Sequence, residues 1–80
     1  MSLMVFCKLV QAYADHAVYD YGVQPDDLSG RITIFSDNRH FSIEEKHTGV
    51  SDRALARVWM KYKDSIAKNE FPERMAIQIG

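Results

Sequence analysis

The chain has 80 residues, 46% of them hydrophobic and 26% charged, with ten bases against eleven acids. That length bounds residues 1–80 as one small domain hiding only about 60% of its unfolded surface, and it excludes multidomain enzymes and cofactor folds with long sheets. A formal charge of −1 supplies no global field for nucleic acid or an anionic membrane, although residues 1–30 set Lys8 against Asp15, Asp20, Asp26 and Asp27 while residues 31–80 hold nine bases and seven acids.

Residues 3–21 read as an amphipathic helix, because Leu3, Phe6, Cys7, Val10, Tyr13, Ala14, Ala17, Val18 and Tyr21 fall on one arc at about 100° per residue. Lys8, Gln11, Asp15 and Tyr19 fall opposite, Ser2 is placed to cap the start, and Gly22 stands where a helix commonly ends. A polar connection over 23–30 follows. Residues 31–36 and 39–44 both alternate and flank Asp37-Asn38, a pair that tolerates a tight hairpin turn. Pairing Ile34 with Phe41 and Ile32 with Ile43 puts apolar side chains on one side. The other side then pairs Phe35 with His40, Thr33 with Ser42 and Arg31 with Glu44. A second helix is predicted over 52–68, capped by Ser51, stapled by Val50 and Leu55, and striped by Leu55, Val58, Trp59, Tyr62 and Ile66. Residues 74–79 alternate as a last strand, with Met75, Ile77 and Ile79 inward and Ala76 and Gln78 outward.

The expected fold is thus α+β in the order α-β-β-α-β: a three-stranded antiparallel sheet of order 3-1-2 with both helices on one face. The alternative is a ferredoxin-like βαββαβ arrangement in which residues 2–7 form an extra strand.

No phosphate loop, dinucleotide fingerprint, paired-histidine zinc helix or calcium loop is present in the sequence. With Cys7 as the only cysteine, an intramolecular disulfide and a cysteine zinc site are excluded, and within an apolar arc the thiol reads as a small unreactive hydrophobe. His16 and Asp20, four apart, read as a solvated helix pair or as a histidine oriented by a carboxylate. Glu44, Glu45 and His47 form a charged strand end or a partial metal site short of a donor. Neither set carries a diagnostic spacing, so no cofactor, metal or catalytic residue is assigned and the chain reads as non-enzymatic.

Two surfaces remain. Phe35, His40, Thr33 and Ser42, extended by Gln78, make the sheet face that the helices leave bare, suited to a protein interface. Arg53, Arg57, Lys61 and Lys68 line the outer face of the second helix, where phosphates would bind; Asp64 interrupts that stripe and no aromatic is interleaved with it. The expectation is a small interaction module, self-associating as a homodimer through the bare face or an edge strand, or else binding an unidentified protein partner. The alternative is a nucleic-acid-binding accessory protein. No run approaches the roughly 18 apolar residues of a membrane span, and Leu3-Met4-Val5-Phe6 lacks the basic lead of a signal peptide. A cytoplasmic location is therefore expected.

Overall fold

The computed structural model describes residues 3–36 and 41–79. In chain order these form β1 (Leu3–Ala12), β2 (His16–Gly22), β3 (Gly30–Phe35), β4 (Phe41–Glu45), α1 (Asp52–Ala67) and β5 (Arg74–Ile79). All five strands join one antiparallel sheet in the order β4-β3-β2-β1-β5. Among the described residues no helix is long and apolar enough to cross a membrane.

The fold is mostly sheet, which corrects the expected α-β-β-α-β order and its three-stranded sheet. The segment expected as a first helix is the β1–β2 hairpin, and the ferredoxin-like alternative falls with it because a strand follows β1 where that arrangement needs a helix. The reason lies in burial. Val5 and Cys7 on β1, and Ala17, Tyr19 and Tyr21 on β2, are buried at every second position, which is the period of a pleated strand. Tyr19, which a helix would turn to solvent, is wholly buried, whereas Val10 and Tyr13, which a helix would bury, are about half exposed. Valine, phenylalanine and tyrosine suit a half-buried pleat better than a helix. The chain reverses through Tyr13-Ala14-Asp15-His16, closed by the Tyr13 N–H donating to the His16 carbonyl at 2.7 Å.

The expected order 3-1-2 is replaced as well: β5 lies beside β1, so β1 and β2 separate it from the β3–β4 hairpin. With β4 and β5 at opposite edges, the chain between them crosses the whole sheet. Four strand spacings of about 4.8 Å make roughly 19 Å, and the 16 residues of α1 span roughly 24 Å, so one helix suffices.

Elsewhere local chemistry gives the elements anticipated. Ser51 caps α1 by accepting the Ala54 N–H at 3.1 Å, and Asn69, at φ 62°, turns the chain out of the helix. On the β3–β4 hairpin Ile34 faces Phe41, Thr33 faces Ser42 and Ile32 faces Ile43; a register shift then sets Glu45, rather than Glu44, opposite Arg31. The expected pair of Phe35 with His40 lies outside the described residues.

The core forms on one face only. Val5, Cys7, Ala17, Tyr19, Tyr21, Ile32, Ile34 and Met75 make one buried cluster with Ala54, Leu55, Val58 and Ile66 of α1. The two large tyrosines reach its rim, where Tyr19 donates its hydroxyl to the Pro72 carbonyl at 2.5 Å and Tyr21 accepts the His47 N–H at 2.9 Å. Gly30 makes room for the second of these, since a Cβ there would come within 2.5 Å of the Tyr21 ring.

Candidate functional site

The face opposite α1 is built row by row by the strand register. Its central row runs across all five strands: Arg74 of β5 faces Lys8 of β1, Lys8 faces Asp20 of β2, Asp20 faces Arg31 of β3, and Arg31 faces Glu45 of β4. Within it Arg31 Nε donates to Asp20 Oδ1 at 2.9 Å, and that carboxylate holds the guanidinium pKa above its ordinary value.

Toward the β1–β2 turn the next row is smaller and more apolar. A bulge sets Val10 and Gln11 together against Val18, which faces Thr33, which faces Ser42. Beyond it stands a row of rings. His16 faces Phe35 across β2 and β3, with ring centroids 5.8 Å apart, and Tyr13 stacks on His16 at 4.5 Å with the planes 13° from parallel. Asp15 Oδ1 meets His16 Nδ1 at 2.7 Å, and this hydrogen bond lowers the Asp15 pKa. Val10 is 45% exposed and Tyr13 51%.

On the other side of the charged row, Phe6 faces Ala76 and Met4 faces Gln78. Here the face is partly roofed. The Asp27 N–H donates to the Gln24 carbonyl at 3.1 Å, and this turn lays the connection against Gly22, where a Cβ would collide with the Asp27 carbonyl oxygen. The roof leaves a cleft of about 340 Å³ among Phe6, Lys8, Pro25, Leu28, Tyr62 and Arg74.

The anticipated interface residues are therefore divided. Phe35, half-buried, shares the open face with Thr33 and Ser42. Thr33 is buried and donates to Glu44 Oε1 at 3.3 Å. Gln78 stands three strands away from β3, about 14 Å, and does not join them. His40 lies outside the described residues. A helical reading of residues 3–21 brings Tyr13 and His16 together but not to Phe35, and only the alternation of Ala17, Tyr19 and Tyr21 signals that they complete its patch.

The other candidate groups part company. His16 and Asp20 stand four residues apart along β2, roughly 13 Å, each with its own partner. Glu44 receives Thr33, while His47 Nδ1 accepts the Gly49 N–H at 3.0 Å. Among the described residues no three metal-ligating side chains gather. Cys7 is buried, and burial pushes its thiol pKa up to about 12. Arg53, Arg57 and Lys68 are exposed, as is Lys61, but the Lys61 ammonium donates to the Ala76 carbonyl at 2.9 Å and sits 5.3 Å from the Tyr62 ring centroid. No protein-family model matches the chain, and neither a curated protein nor a solved structure matches it.

Proposed function

We propose that the chain is a non-enzymatic protein–protein interaction module whose partner is a second copy, bound through the hairpin end of the open sheet face. The observation that carries this is the Tyr13–His16 stack, continued to Phe35, with Tyr13 and Val10 about half exposed beside it. Within this proposal the patch is self-complementary. A two-fold axis running across the strands between the two rows sets Tyr13 over the partner's Val10, His16 over its Val18, and Phe35 over its Thr33. Rings then meet smaller side chains, as an isologous contact requires. The charged row of Lys8, Asp20 and Arg31 falls outside the contact, giving an apolar centre with a polar rim. Pairing through the edge of β5 is not part of the proposal, because Lys61 and Tyr62 already bond the backbone of Ala76.

A patch this small belongs with weak, reversible interfaces. Sedimentation velocity over a concentration series reaching millimolar tests it. The expected result is a reversible shift from monomer to dimer that Val10→Asp and Tyr13→Ser abolish without changing the circular dichroism spectrum. Both positions are exposed, so neither substitution disturbs the core. A chain that sediments as a monomer throughout, or a dimer indifferent to both substitutions, overturns the proposal.

A further inference from the structure

Lys8 and Arg74 are direct cross-strand neighbours on the open face, a spacing of about 5 Å between Cβ atoms at which like charges destabilise a sheet. The one acid opposite Lys8 in the register is Asp20, and its carboxylate is engaged by Arg31 at 2.9 Å. Among the described residues neither Lys8 nor Arg74 enters an ion pair. Two cations are thus held side by side with their counter-charge spent elsewhere. They line the cleft of about 340 Å³ together with apolar or aromatic side chains that include Phe6, Pro25, Leu28 and Tyr62. Its size lies at the lower end for small-molecule sites, and its make-up follows their pattern of an apolar lining with a few convergent polar groups.

We propose that this cleft binds a small amphipathic organic acid, its carboxylate held between Lys8 and Arg74 and its apolar body between Phe6, Pro25 and Leu28. Such an anion relieves the repulsion between the two cations and covers the partly buried Phe6 side chain in one step. The site stands on the far side of the charged row from Tyr13 and Val10, so it does not depend on self-association.

Titration of isotope-labelled protein with octanoate, followed by amide chemical shifts, tests this, with 1-octanol and acetate as the two halves of the ligand taken separately. Octanoate should give saturable shifts at the amides of Lys8, Arg74 and Ala76, and each half alone should bind about tenfold more weakly or worse. Lys8→Gln and Arg74→Gln should each weaken octanoate about threefold to fivefold, the effect of one exposed ion pair. Both side chains are exposed and mutually repulsive, so the variants fold. The Tyr13→Ser chain should titrate like the wild type, which separates this site from the dimer contact. Absence of saturable shifts, equal binding of octanol or acetate, or octanoate binding that survives the double substitution overturns the proposal.

Discussion

The Tyr62 hydroxyl closes the outer edge of β5: it accepts the Ala76 N–H at 3.2 Å and donates to the Ala76 carbonyl at 3.3 Å. An edge strand with unmet backbone groups is a template for another chain, and here a side chain of α1 takes both groups in mid-strand. Lys61 adds a second donor to the same carbonyl. Replacing Tyr62 by Phe keeps the ring and removes the closure. The expected cost is about 1 kcal/mol in urea denaturation, the net worth of a hydrogen bond, together with faster growth of thioflavin-positive aggregates. Equal aggregation rates for the two chains would show that the edge is guarded by something else.

Among the described residues, Gly22 and Gly30 are the glycines where a Cβ would come within 3.0 Å of another group. At Gly22 the obstacle is the backbone carbonyl of Asp27; at Gly30 it is the Tyr21 ring, which is anchored at its far end by the His47 N–H. Gly22→Ala should lift the 23–29 connection from the sheet, and Gly30→Ala should displace Tyr21 from the core. Each should cost about 1–3 kcal/mol, the usual range for overpacking. Urea denaturation measures both losses. The two are distinguishable, since Gly22→Ala alone should also weaken octanoate in the cleft that Pro25 and Leu28 line.

How far the sequence reveals this fold depends on where the governing signal lies. The β3–β4 pairing, the Ser51 cap and the alternation of β5 are local, and each is legible from neighbouring residues. The β1–β2 hairpin is not, because its turn at Ala14 and Asp15 is marked by Asp15 alone, with no glycine, proline or asparagine beside it. Cys7, Ala17 and Tyr21 satisfy a helical arc and a strand face alike. What decides between them is Val5 and Tyr19, off the arc yet buried against residues distant in sequence. The same error hides half of the candidate site. Phe35, Thr33 and Ser42 emerge from the legible hairpin, whereas the approach of Tyr13 and His16 to Phe35, and the Lys8–Arg74 pair, exist only once β1 and β2 are strands.

Asp20 and Arg31 form the one ion pair in the central row, and both are partly solvated, with side-chain exposures of 32% and 50%. Exposed pairs of this kind contribute little. A double-mutant cycle on Asp20→Asn and Arg31→Gln should give only a small coupling, one that shrinks as salt is added. A second consequence follows from the row itself. Arg31→Gln releases Asp20 toward Lys8, its other cross-strand neighbour, so the variant should bind octanoate more weakly even though Arg31 does not line the cleft. An unchanged octanoate titration would mean that Asp20 does not compete for Lys8.

The Cys7 thiol ties stability to alkaline pH. Burial raises its pKa to about 12 in the folded chain, while in the unfolded chain it ionises near its ordinary value of about 8.5. A folded-state pKa above the unfolded one means that the thiol's contribution is fully present below about pH 8.5 and is lost as pH rises toward the folded value. The slope approaches but does not exceed about 1.4 kcal/mol per pH unit for a single group. Tyr19 is shifted upward too, first by burial and then by the Cys7 charge, but an unfolded tyrosine ionises only near pH 10. The interval from about pH 8.5 to about pH 10 therefore isolates the cysteine. Urea denaturation of the reduced chain should show stability falling across that interval, and Cys7→Ala, less stable at neutral pH by the cavity it leaves, should show a flatter profile. Parallel profiles for the two chains would place the alkaline loss on another group.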